Sequence, residues 1–170
     1  GTSGLIAVAS AVALGAGRVI AAGRNPAALE RARALGAHDT VVLGGDGLAA
    51  AFASAAGGEV DVVIDYLNGA PAEAALSVMA LGGRMVQIGS LLAPGMQLHA
   101  QTARRQSLDV LGFAYYHAPI DEQRRAYGAV CDLALKGRAE IDIETTSLID
   151  FAAAWGRQKA GGGMRQVLRP

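Results

Sequence analysis

The chain alternates between apolar runs of strand length and longer apolar or amphipathic stretches. Residues 4–16 (GLIAVASAVALGA) have no polar face except Ser10, which predicts a helix buried on both sides. Residues 18–23 (RVIAAG) form a continuous apolar run, the pattern of a central parallel strand. Asn25-Pro26 supplies an N-cap and a proline suited to the first helical position. The helix predicted over 27–35 carries Glu30, Arg31 and Arg33 on its wet side and ends at Gly36. Strands are predicted at 40–43, at 60–66 (VDVVIDY, read as buried), at 84–88 and at 108–114. Between them fall helices over 48–56, 72–81 (ended by Gly82-Gly83), 101–106 and 121–137. Residues 140–147 read as extended, 148–158 as helical and 165–168 as extended.

Strand and helix alternate without an internal repeat or a low-complexity linker. That order argues for an α/β fold, Rossmann-like and doubly wound, with a mostly parallel sheet and right-handed crossovers. Ligands of such sheets sit beyond the carboxyl ends of the strands. The positions singled out are therefore Gly23-Arg24-Asn25, Tyr66-Leu67-Asn68, Ile88-Gly89-Ser90 and Phe113-Ala114.

The opening residues carry the chemistry. A pyrophosphate is held by backbone N–H groups at a helix N-terminus, with no Cβ in the way. Gly1, Thr2, Ser3 and Gly4 lead straight into the first predicted helix, and the two hydroxyls add donors. Arg24 follows Gly4 by 20 residues, at the end of a strand. A Rossmann-like site places there the residue that reads the adenosine ribose 2′ position. NAD sites commonly use Asp or Glu, and here no carboxylate occurs before Glu30. A guanidinium engages a 2′-phosphate bidentately, so NADP is favoured over NAD. An S-adenosylmethionine site is disfavoured by the same missing acid. Beyond the other strands, Tyr66 and Leu67 are placed to pack on adenine or the nicotinamide ribose. Gly89 would let a flat ring approach backbone, and Ser90 would bond a phosphate or ribose. Asp65 is read as a carboxylate bonding loop backbone rather than as a catalytic group. The strand and first glycine expected before such a loop are absent from the sequence, which opens in the middle of the site it predicts.

Composition narrows the function classes. The 170 residues are 52% hydrophobic and 18% charged, enough for a sizeable core in one domain. Net charge is zero and basic residues are scattered, which speaks against nucleic acid. Cys131 is the single cysteine, so an internal disulfide and a multi-cysteine zinc site are excluded; it is read as a small helical core residue. His38, His99 and His117 have no metal-ligand spacing and are read as isolated polar residues. No apolar stretch reaches the ~18 residues of a membrane span; the expectation is a cytoplasmic protein without a membrane partner.

The chain resembles the cofactor-binding half of the medium-chain dehydrogenase/reductase superfamily, which includes zinc alcohol dehydrogenases and zinc-free quinone oxidoreductases. The resemblance covers essentially the whole sequence. It rests on GTSG before an Ala-rich helix, RVIAAGRNPAALERARALGAHDTV, VDVVIDYLNG, LGGRMVQIGS and the terminal GGGMRQVLRP. It implies an oxidoreductase that transfers hydride between NADP and an alcohol, carbonyl, enone or quinone substrate. By that resemblance Gly1, Thr2, Ser3 and Gly4 cradle the pyrophosphate, and Arg24 and Asn25 lie near the 2′-phosphate. Tyr66, Leu67, Ile88, Gly89, Ser90 and Phe113 then line the cofactor, and the strand near 108–114 pairs with its copy in a homodimer. No catalytic residue and no metal ligand is assigned. The family's N-terminal catalytic domain and first Rossmann strand are missing here. Residues 1–139 are expected to form the NADP-binding domain, and 140–170 an extension that packs on the missing domain in relatives. The alternative is a non-catalytic nucleotide-binding module, or a fragment that needs a partner chain.

Overall fold

The computed structural model describes residues 1–160 and 164–170; Gly161 to Gly163, the first part of the terminal GGGMRQVLRP motif, lie outside the described residues. Helices and strands alternate: α1 (Thr2–Ala13), β1 (Ile20–Gly23), α2 (Pro26–Ala34), β2 (Asp39–Val42), α3 (Leu48–Ala56), β3 (Val60–Asp65) and α4 (Ala70–Leu76). Then follow β4 (Met79–Gln87), α5 (Ala100–Gln106), β5 (Asp109–Gly112), α6 (Ile120–Leu135), β6 (Ile143–Ser147), α7 (Phe151–Ala160) and β7 (Arg165–Arg169).

All strand pairs among the described residues are parallel: β1 with β2, β4 between β3 and β5, and β6 with β7. No ladder joins β1 to β3 among them. The orders β2-β1 and β3-β4-β5 match the two halves of a doubly wound 3-2-1-4-5-6 sheet on either side of its central strand. The α/β, Rossmann-like architecture with parallel strands is thus as the sequence predicts, and no described strand pairs with both β1 and β3.

The β1-β2 and β3-β4-β5 ladders each have their own core. Leu5 and Val8 of α1 and Leu29 and Ala32 of α2 close over Val19 and Ala21. Ala72, Ala75 and Leu76 of α4 pack on Met79 and Met85, both fully buried, with Phe52, Val63 and Val110 at the margin. Gly36 links α2 to α1: its φ is +102°, and an added Cβ would lie 3.1 Å from Val12.

Several predicted elements are corrected. α1 begins at Thr2, and it buries one row of residues (Leu5, Val8, Ala9) while Leu14 beyond its end is exposed. The predicted helix over 72–81 stops at Leu76, and β4 already begins at Met79. Gly82-Gly83 therefore forms an irregularity inside β4 rather than a helix end: pairing jumps from Val60↔Met79 to Val62↔Arg84, with Gly82 at φ +72°. Met79 enters the core, and that tertiary burial overrides the helical pattern of the run. β3, read as buried, leaves Val62 56% and Ile64 45% exposed. Its other face packs Val63 against the core, and its outer edge has no ladder partner among the described residues. Cys131 is half-buried in α6, a helix with no fully buried residue.

The C-terminal β6-α7-β7 unit is tied to α2 by an ion pair between Arg31 and Asp142. Phe151 and Trp155 of α7 stack with ring centroids 5.9 Å apart and stay about half exposed.

Candidate functional site

Parallel pairing fixes where the strand ends fall. Asp65 pairs with Gln87, and Gln87 with Gly112. The next residues, Tyr66, Ile88 and Phe113, therefore lie in a row along the carboxyl edge of β3-β4-β5. Leu67 follows Tyr66, and Gly89 and Ser90 follow Ile88. Ile88 and Phe113 are exposed and Tyr66 is half-buried. Partial burial pushes the Tyr66 phenol up from its ordinary pKa, so it stays neutral and a donor at physiological pH.

Two loops along this edge are tightly joined. The Asp65 carbonyl accepts from the amides of Ile88 (2.8 Å) and Gly89 (3.2 Å). The Leu67 carbonyl accepts from Leu92 N–H at 2.9 Å, and the Gln87 side chain donates to the Gly89 carbonyl. A Cβ at Gly89 would stand 2.6 Å from the Tyr66 carbonyl oxygen, so only glycine fits this approach. The Asp65 side chain bonds loop backbone, as expected from the sequence: it accepts from Leu67 N–H (3.0 Å) and Asn68 N–H (3.0 and 3.1 Å).

The other half of the candidate site sits on the β1-β2 ladder and at the start of α1. Gly1 is the N-cap of α1, and its carbonyl accepts from Leu5 N–H at 3.1 Å. The amides of Thr2, Ser3 and Gly4 belong to the first turn, where helical geometry supplies no partner and no side chain caps them. Nothing lies within 4 Å of a Cβ built on Gly1 or Gly4. The room beside both is open, and no atom of this chain demands glycine there. Arg24, directly after β1, is exposed and has no ion pair or hydrogen bond among the described residues. Asn25 caps α2, its Oδ1 accepting from Ala27 N–H (2.9 Å) and Ala28 N–H (3.4 Å). Its amide oxygen is thereby committed to the helix, while Arg24 is left free.

The structure groups Tyr66, Leu67, Ile88, Gly89, Ser90 and Phe113 on one edge. Arg24 and Asn25 sit at the matching end of the other ladder, with Gly1, Thr2, Ser3 and Gly4 at the α1 tip. No hydrogen bond or ion pair joins these three groups among the described residues. A hollow of about 320 Å³ lies elsewhere, between α4 and the 97–102 segment, lined by Glu73, Ser77 and His99 among others. His38 is a structural residue whose Nδ1 accepts from Val19 N–H at 3.1 Å. Among the described residues no three His, Cys, Asp or Glu side chains converge. The Asn68-Gly69 turn has a sequence signal that would find it, an Asn-Gly pair after a strand. The Gln87 contact to Gly89 had no sequence signal.

Free amides at a helix tip, a cation beyond the adjoining strand and a glycine-cleared strand edge are the features of a Rossmann-like dinucleotide-binding fold. Comparison with known proteins assigns the family. The sequence profile of the zinc-binding dehydrogenases matches residues 4–134. The chain belongs to that family, and it corresponds to the cofactor-binding domain of the medium-chain dehydrogenase/reductase superfamily. Among solved structures it is similar to AibC at 25% identity and TM-score 0.82, over 98% of this chain and 46% of that one. A mycobacterial protein complexed with NADPH aligns over 100% of this chain and 54% of its own, at 20% identity and TM-score 0.82. A quinone oxidoreductase of Pseudomonas syringae aligns over 98% and 53%, at 24% identity and TM-score 0.79. The chain spans about half the length of these relatives. No curated protein matches it.

Proposed function

We propose that this chain is the NADP-binding part of an oxidoreductase that moves hydride between the nicotinamide and an alcohol, carbonyl, enone or quinone substrate. The observation that carries this reading is the unpaired Arg24 guanidinium directly after β1, where the ribose 2′ position is read. When bound, the nicotinamide supplies or accepts hydride at its C4.

The chain's own residues bind and orient. The Thr2, Ser3 and Gly4 amides donate to the pyrophosphate, helped by the positive end of the α1 dipole. Arg24 clasps the 2′-phosphate, beside the α2 N-terminus that Asn25 caps. Tyr66, Leu67, Ile88, Ser90 and Phe113 contact the nicotinamide half, and Gly89 lets the Tyr66 and Ile88 strand ends close on each other rather than admitting a ring to its own backbone. The second reading is a non-catalytic nucleotide-binding module, or a fragment completed by a partner domain: along this edge the buried Asp65 carboxyl is taken up by loop backbone amides. Residues 1–139 form the binding unit in this proposal, and 140–170 dock on that partner domain. The relative solved with NADPH supports the choice of cofactor class for a similar protein.

We also propose a homodimer through β5, whose outer edge has no ladder partner among the described residues and whose Leu111 is 44% exposed. Sedimentation equilibrium tests it, with a monomer at micromolar concentration as the contrary result. No helix of the described residues is long and apolar enough to cross a membrane; a cytoplasmic site of action is part of the proposal. Calorimetric titration with NADPH, NADH and S-adenosylmethionine tests the cofactor reading. NADPH binding tightest supports it, and equal or absent NADPH binding overturns it.

A further inference from the structure

Asp65 is a carboxylate 6% exposed at the end of β3, with no cationic partner among the described residues. Its two oxygens instead collect backbone donors: Oδ1 accepts from Leu67 N–H and Asn68 N–H, and Oδ2 from Asn68 N–H again. Burying a carboxyl group away from water is tolerable where its oxygens find hydrogen-bond donors. Here they hold a backbone that a free chain avoids. Asn68 is itself 6% exposed and sits at φ +63°, followed by Gly69 at φ +67°. A Cβ on Gly69 would meet Ala93 at 2.8 Å. The turn fixed in this way presents the Tyr66 carbonyl to Leu91 N–H and the Leu67 carbonyl to Leu92 N–H, and brings the Tyr66 carbonyl against Gly89.

We propose that Asp65 is a positioning residue for the nicotinamide half of the dinucleotide. It locks the 65–69 turn against the 88–92 loop, so that Tyr66, Leu67, Ile88 and Ser90 present one preset surface. This rests on the cofactor reading above. Arg24 stands on the β1-β2 ladder and the Asp65 turn on the β3-β4-β5 ladder, and in this proposal Arg24 holds the adenosine half while the Asp65 turn serves the nicotinamide half. Disturbing Asp65 therefore weakens one end only.

The test compares wild type, Asp65→Asn and Asp65→Ala by calorimetric titration with NADPH and, separately, with adenosine 2′,5′-bisphosphate, the half that Arg24 reads. Asn keeps an oxygen for two of the three contacts, and Ala keeps none. NADPH affinity is expected to fall roughly tenfold in D65A and less in D65N. Affinity for the bisphosphate is expected to stay within about twofold in both. If D65A fails to fold, D65N alone decides, with a several-fold loss for NADPH only. The proposal is overturned if a folded variant binds NADPH as wild type does, or if both ligands weaken together. Failure of wild type to bind either ligand overturns the cofactor reading itself, and this assignment with it.

Discussion

Replacing Gly89 with alanine probes the junction on which the candidate site depends. The added methyl carbon would lie 2.6 Å from the Tyr66 carbonyl oxygen, 3.2 Å from its carbonyl carbon and 3.3 Å from its Cα. Ordinary carbon–oxygen approaches are about 3.3–3.6 Å, so the strand ends must part by the better part of an ångström. All the opposing atoms are backbone, and no side chain can swing away to relieve them. Parting the strands also stretches the bonds from Ile88 N–H (2.8 Å) and Gly89 N–H (3.2 Å) to the Asp65 carbonyl. Overpacking of this kind costs about 1–3 kcal/mol. In a chain of this size each kcal/mol lowers Tm by about 2–4 °C, so G89A should melt roughly 2–12 °C below wild type by circular dichroism or calorimetry. Gly128 of α6 provides the control, because nothing lies within 4 Å of a Cβ built there. Alanine at that exposed helical position should stabilise by about 0.5–1 kcal/mol. The reasoning is refuted if G89A and G128A both melt at or above the wild-type temperature.

Three further outcomes follow from other parts of the molecule. Arg24→Ala removes a guanidinium with no partner among the described residues, so stability should hold within about 0.5 kcal/mol. Affinity for NADPH should fall about 10–100-fold, with NADH little changed, as read by parallel fluorescence titrations. Met79→Ala empties a fully buried position between α4 and β4; the urea midpoint should drop by the equivalent of about 2–5 kcal/mol, with the slope m preserved. Asp39 tests the acid limb. The Thr40 amide, and then the Arg33 guanidinium, hold its carboxyl below the ordinary carboxylate range. A depressed folded-state pKa stabilises above the unfolded value of about 3.9, and that contribution is lost as pH falls through the folded value. Asp39→Asn should therefore flatten the fall in Tm across the acid range below about pH 4, and an unchanged slope would contradict it.

Local signals with a single stereochemical meaning were legible in the sequence. Asn25-Pro26 specified the start of α2 down to the capping side chain, and α3 falls at the predicted residues 48–56. The carboxyl-end positions were legible because parallel pairing leaves little freedom in where strand ends stand. Residues 77–83 were not, since an apolar run of that length suits a helix or a strand equally. Burial of Met79 decides it. The exposure of Val62 and Ile64 was equally invisible, because an apolar run reports what a strand can bury and not what neighbours it. The contact between Gly89 and Tyr66 depends on the separation of two loops distant in sequence, which no local pattern encodes. Nor does any pattern show how far the α1 tip stands from the β3-β4-β5 edge.

Amide hydrogen exchange of the chain with and without saturating NADPH asks directly where the dinucleotide docks. The account predicts slowed exchange in three stretches together: Thr2 to Gly4, Arg24 with Asn25, and the paired loops 66–69 and 88–92. Slowed exchange confined to the hollow lined by Glu73, Ser77 and His99, with those three stretches unchanged, would contradict it.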